Sequence, residues 1–173
     1  MFKRLMVAAG FTALVLSLDA AMAFAHEKSE QTVIKSRSFT IAKGRCPLLP
    51  ANVEVQGLGL ERTTTVIEDG DDSNDEGVRV DLRGTLLSRI TGTATDNLGG
   101  SYTFSYQLIF GFGKPVPIPG SGIGVDTFTL TGTGVANGLS TLIRARVTFD
   151  SGFNPIAFDI LEQSGDPFGC DPL

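Results

Sequence analysis

A two-residue alternation of apolar and polar positions is the clearest pattern in the chain. Tyr102, Phe104, Tyr106, Leu108 and Phe110 fall on one side of an extended segment, and Thr103, Ser105 and Gln107 on the other. Successive side chains of a strand point to opposite faces, so this period predicts a half-buried strand. Ile143, Ala145, Val147 and Phe149 alternate in the same way with Leu142, Arg144, Arg146 and Thr148. Further extended segments read over 32–41, 53–66, 78–82, 86–95, 125–135 and 156–160. Gly57 or Gly59 offers the second of these segments a bend, and Gly84 is placed for a β-bulge or a bend.

The breaks between segments carry their own chemistry. Cys46-Pro47-Leu48-Leu49-Pro50 ends the first strand, because proline has no N–H for a ladder. Residues 111–124 hold Pro115, Pro117 and Pro119 among glycines and are expected to form a long exposed loop. Asn137-Gly138 is a hairpin signal, since a type I′ turn needs positive φ at both central residues. Eight or nine strands without a convincing helix predict an all-β domain, a single antiparallel β-barrel with a β-sandwich as the alternative. Consecutive hairpins that close on themselves leave no exposed edge, which favours the barrel.

One similarity is internal. Ile90-Thr91-Gly92-Thr93-Ala94 precedes Asn97, and Leu130-Thr131-Gly132-Thr133-Gly134 precedes Asn137 at the same offset. Each copy reads as a strand, an Asn-containing turn and a second strand, the unit of a meander. The segments Gly92-Thr93-Ala94-Thr95-Asp96-Asn97-Leu98-Gly99 and Gly134-Val135-Ala136-Asn137-Gly138 resemble recurring motifs of small exported bacterial β-barrel proteins of unknown function, which are likened to the barrel of the allene oxide cyclase and dirigent families. The resemblance spans about Leu86 to Phe149. It implies a barrel and transfers no catalytic residue.

The first 25 residues read differently from the rest. Lys3 and Arg4 precede an apolar run from Leu5 to Leu18, and Ala23-Phe24-Ala25 supplies the small-x-small pattern of a signal peptidase site. The run is short for a membrane span and Asp19 interrupts it, so residues 1–25 are expected to be a signal peptide and 26–173 the domain. The expected location is secreted or periplasmic, with no membrane span in the mature form. In that compartment Cys46 and Cys170, the two cysteines of the chain, are expected to form a disulfide that ties the tail to the start of the domain.

Composition removes several function classes. The formal charge of −5 becomes −6 once Lys3, Arg4 and Asp19 are removed, which argues against nucleic acid as a partner. An outer-membrane barrel would need aromatic girdles, and the chain has no Trp and two Tyr. The single histidine, His26, lies at the predicted mature terminus, poorly placed for a catalytic triad. Neither Gly111-Phe112-Gly113 nor Gly120-Ser121-Gly122 opens a helix, so no dinucleotide fingerprint is present.

The remaining candidates are few. Asp69, Asp71, Asp72 and Asp75 lie in an acidic loop that is a solvated turn or a weak calcium site; neither EF-hand register through it fits. No other cofactor is expected. Tyr102 and Tyr106 on a core-facing row, and Arg144 and Arg146 on one strand face, are candidate ligand contacts, the arginines alternatively pairing with acids on a wet face. Glu54, Glu61, Glu68, Asp81, Asp126 and Asp159 lie on or near strands and are expected to face solvent or pair with arginines. Thr91, Thr93 and Thr95 share a face, as do Thr127, Thr129, Thr131 and Thr133; such rows suit a carbohydrate or ice surface, or simply a strand. These features support a non-catalytic binding or interaction module with a small-molecule or protein partner. The alternatives are an isomerase- or cyclase-like enzyme on the same scaffold and a structural surface-associated protein.

Overall fold

The computed structural model describes residues 29–69, 81–117, 120–150, 154–167 and 169–171. Residues 1–28, with the expected signal peptide and His26, and 70–80, with Asp71, Asp72 and Asp75, lie outside the described residues. Within them the chain is all β. Seven strands, β1 (Ser29–Ala42), β2 (Glu54–Asp69), β3 (Asp81–Asp96), β4 (Ser101–Pro117), β5 (Gly120–Gly132), β6 (Ser140–Phe149) and β7 (Pro155–Gly165), form one antiparallel sheet in sequence order. No helix among the described residues is long and apolar enough to cross a membrane.

The sheet is rolled. Phe39 on β1 lies 4.7 Å from Phe104 on β4 and 6.0 Å from Phe128 on β5, measured between ring centroids. In a flat sheet, strands four places apart stand about 19 Å from one another, at about 4.8 Å per strand. The alternating apolar residues therefore face a shared interior, and Phe39, Phe104, Phe128 and Leu130 form its core. Gly59 makes the roll possible: a Cβ there would lie 2.6 Å from the Phe104 ring. No bend occurs at Gly57 or Gly59, since β2 keeps its register with both neighbours through these positions. β1 pairs with β2 and β7 with β6, and among the described residues no ladder joins β1 to β7.

The core extends to one end of the roll, where the turn after β1 folds inward. Cys46, Leu49 and Val53 from that turn pack with Ala136, Leu139 and Cys170. The Cys46–Cys170 disulfide joins this turn to the tail that follows β7, across 124 positions of sequence. The two internally similar turns meet at the same end, and a Cβ on Gly100 would come 2.7 Å from Gly134 Cα. Tyr102 stitches them together. Its hydroxyl donates to Asp96 Oδ2 at 2.5 Å and accepts from the Ala136 N–H at 3.1 Å. Asp96 Oδ1 accepts the Leu98 and Gly100 N–H groups, both at 2.8 Å.

Several local expectations change. The described end of segment 78–82, from Asp81, and segment 86–95 belong to one strand, β3, whose register shifts between Leu82 and Gly84. Residues 111–124 are not a long loop: β4 continues to Pro117 and β5 begins at Gly120. Pro115 and Pro117 are tolerated because β4 pairs with β5 only as far as Gly111, while its last residues pair with β3 alone (Pro119 lies outside the described residues). A proline at such a one-sided position leaves no ladder bond unmade. Asn137-Gly138 is not a two-residue hairpin loop either. β5 ends at Gly132 and β6 starts at Ser140, and Asn137 spends its side-chain carbonyl on the Gly132 N–H, 2.9 Å away. Gly138 takes the positive φ, 84°.

Candidate functional site

Polar groups gather in the middle of the otherwise apolar interior. The cross-strand register defines two neighbouring rows on the inner face. One runs Lys35, Glu61, Ile90, Tyr106 and Phe128, and the next runs Val33, Thr63, Ser88, Leu108, Asp126 and Ile143. The aromatic core with Phe39 and Phe104 lies to one side, and the edge-to-face pair Phe110–Phe149, at 5.6 Å, to the other. The rows are thus a polar belt between two oily ends.

Glu61 is the hub of the belt. It is buried, at 8 % exposure, on a strand whose preceding inner positions are Val55, Gly57 and Gly59. Arg37 Nε donates to Oε2 at 2.5 Å, and Lys35 Nζ stands 3.5 Å from the same oxygen. The Ser88 and Thr63 hydroxyls donate to Oε1 at 3.0 and 3.2 Å. Burial alone would raise the carboxyl pKa. The hydrogen bonds from Arg37 and Ser88, with the charges of Arg37 and Lys35, outweigh burial and hold it below its ordinary value. The two cations keep 38 and 39 % of their side chains exposed, so this side of the belt opens to solvent. Arg37 carries five N–H donors and gives one to Glu61 here; Lys35 carries three.

Asp126 and Tyr106 form the second half. Tyr106 Oη donates to Asp126 Oδ2 at 3.1 Å. Burial, the negative charge of Asp171 and contact with its carboxyl push the Asp126 pKa up to about 8, against the pull of the Tyr106 hydrogen bond. Burial, followed by the charges of Asp126 and Asp171, drives the Tyr106 phenol well above its usual range. At neutral pH this half of the belt therefore carries O–H groups, while the Glu61 half carries ions. Opposite Phe128, the buried Thr141 Oγ1 has no hydrogen-bond partner among the described residues.

The sequence-derived candidates divide between places. Tyr106 belongs to the belt, whereas Tyr102 belongs to the turn clamp at the closed end. Arg144 and Arg146 are exposed on the outer face, opposite Glu162 and Asp159 of β7. They do not converge with the tyrosines. Asp69 ends β2. The threonine rows lie outward, and β4 inserts Thr103 and Ser105 between them in the registers Thr93–Thr103–Thr131 and Thr91–Ser105–Thr129. No group of three or more His, Cys, Asp or Glu side chains suited to a metal occurs among the described residues.

Glu61 and Asp126 escape a reading that sends strand carboxylates outward. The signal was their parity: each continues the buried phase of its strand, after Val55, Gly57 and Gly59 in β2 and before Phe128 and Leu130 in β5. Lys35 and Arg37 share the inward phase of Phe39. Comparison with protein-family models, with curated proteins and with solved structures gave no match to this chain.

Proposed function

We propose that this is an exported binding module whose rolled sheet acts as a small barrel, and that the polar belt receives a small molecule with an anionic head and an apolar body. The observation that carries the reading is the convergence of Lys35, Arg37, Glu61, Ser88 and Thr63 inside an apolar interior, with both cations still reachable from solvent. Buried ion pairs are weak sources of stability, and clustered, perturbed ionisable groups mark functional sites. The donors of Lys35 and Arg37 that no described residue takes suit a carboxylate or phosphate, and Val33, 44 % exposed on the same face of β1, offers apolar surface beside them. The leader pattern and the Cys46–Cys170 bridge support export. The resemblance to small exported barrels likened to allene oxide cyclase and dirigent proteins agrees with this architecture.

A second reading, an isomerase- or cyclase-like enzyme, draws on the Tyr106–Asp126 pair, a protonated acid beside a carboxylate-rich site. The two readings separate in one set of experiments. Native mass spectrometry of the mature protein recovered from culture should show a bound small molecule, and calorimetric titration with decanoate should give saturable binding. Lys35→Met removes one charge-assisted hydrogen bond and should weaken decanoate binding about tenfold. Conversion of the co-purified molecule on incubation would favour the enzyme. Absence of both bound material and decanoate binding would reject the binding module.

A further inference from the structure

The belt contains a negative charge that a ligand does not bring. Lys35 and Arg37 share the inward phase of β1, and Glu61 of β2 stands directly opposite Lys35. Arg37 Nε and Lys35 Nζ both reach Glu61 Oε2, at 2.5 and 3.5 Å. The other oxygen, Oε1, accepts from the Ser88 and Thr63 hydroxyls at 3.0 and 3.2 Å. Both oxygens are occupied, and β2 keeps an unbroken register with β1 and β3 around this position. Glu61 is therefore a fixed part of the belt.

The charges decide what such a site can take. Burial raises the Glu61 carboxyl pKa, but the Arg37 and Ser88 hydrogen bonds and the charges of Arg37 and Lys35 outweigh it, so Glu61 is ionised at neutral pH. Across the belt Tyr106 and Asp126, both pushed up chiefly by burial, hold their protons at neutral pH. Two cations against one carboxylate leave a single positive charge for a ligand to meet, on side chains still open to solvent. An alkyl carboxylate brings one negative charge. A phosphate monoester carries about −1.5 to −2 at neutral pH. Its second charge would meet no counter-ion among the described side chains of the belt. It would lie beside the Glu61 carboxylate, where partial burial weakens the screening of like charges.

We propose that Glu61 determines the specificity of this site: as a fixed counter-ion it fits Lys35 and Arg37 to a singly charged head such as a carboxylate, and disfavours the doubly charged phosphate monoester of the same alkyl chain. This selectivity rests on the binding module proposed above and narrows its anionic head to a monoanion. In the empty site Glu61 offsets the repulsion between two neighbouring cations, so both are in place before a ligand arrives. In the occupied site the donors that Glu61 leaves on the Arg37 guanidinium and the Lys35 ammonium close on the ligand's oxygens. Val33, exposed on the same face of β1, borders the alkyl chain.

The test is calorimetric titration of the mature, disulfide-bonded protein at neutral pH and low salt with decanoate, decyl sulfate and decyl phosphate, each below its micellar concentration. Decyl sulfate has the tetrahedral head of the phosphate but one charge, so it separates charge from shape. Decanoate and decyl sulfate should each bind at least about tenfold more tightly than decyl phosphate. In Glu61→Gln decyl phosphate should gain about tenfold relative to decanoate. Should that variant fail to fold, judged by its circular dichroism melting curve, the wild-type ranking decides alone. Decyl phosphate bound as tightly as decyl sulfate, or a ratio that Glu61→Gln leaves unchanged, would overturn the charge selection while the binding module stands. Failure of all three ligands to bind would overturn both.

Discussion

Stability should fall as the pH rises from about 4 to 8, an unusual direction for an acidic protein. The cause is Asp126, whose carboxyl is pushed up by burial and by the Asp171 charge from an ordinary 3.8 to about 8 in the folded chain. Between those values the folded state holds a proton that the unfolded state has released, so each pH unit removes about 1.36 kcal/mol of stability. The stabilisation is fully present below pH 3.8 and exhausted above about 8. Across the window it amounts to on the order of 5 kcal/mol, a large part of the 5–15 kcal/mol typical of a domain. Glu61 acts oppositely: its depressed pKa gives stability that is present above 4.5 and lost as the pH falls through its folded value. The two effects place the optimum near pH 4 to 5. Urea unfolding at pH 5, 6.5 and 8, disulfide intact, measures this. With an m-value of about 2 kcal/mol/M, the midpoint should drop by roughly 2 M between pH 5 and 8. Asp126→Asn should flatten the dependence. A midpoint that stays constant or rises over this range would refute the reasoning.

Three further outcomes follow from the packing. Replacing Cys46 and Cys170 with Ser opens a loop of 124 positions, and the chain-entropy relation gives a loss of about 5 kcal/mol, read as a lower denaturation midpoint that reductant reproduces in the wild type. Gly59→Ala would put a methyl 2.6 Å from the Phe104 ring, so the melting temperature should fall by an amount equivalent to about 1–3 kcal/mol. Tyr102→Phe removes a hydroxyl that donates to Asp96 and accepts from Ala136; a loss of about 1–3 kcal/mol and faster amide exchange at Ala136 are expected.

Much of the fold was legible because it is written in short-range periodicity. The alternations at 102–110 and 142–149 give β4 and β6 with their buried faces, apart from a half-buried Leu108, and Gly84 marks the register shift of β3. The misreadings came where pairing partners decide. Pro115 and Pro117 look like loop residues until β4 proves to be paired on one side there. Gly57 and Gly59 look like bends until the roll brings Phe39 and Phe104 over them. The belt was half visible, since parity alone places Glu61 and Asp126 inward. What parity cannot convey is which side chains meet across the roll, and no local pattern brings Asp171 to Asp126.

The central claim is that the Arg37–Glu61 pair is kept for binding and contributes little to holding the fold. The variant Arg37→Met/Glu61→Met tests it directly, because exchanging an ion pair for apolar residues is commonly neutral or stabilising, whereas Arg37→Met alone leaves Glu61 short of its strongest charged donor, a loss of about 1–3 kcal/mol. The account predicts that the double variant is at least as stable as the wild type yet no longer binds decanoate, while Arg37→Met alone is destabilised. A double variant as unstable as the single one, or one that binds decanoate as the wild type does, would contradict it.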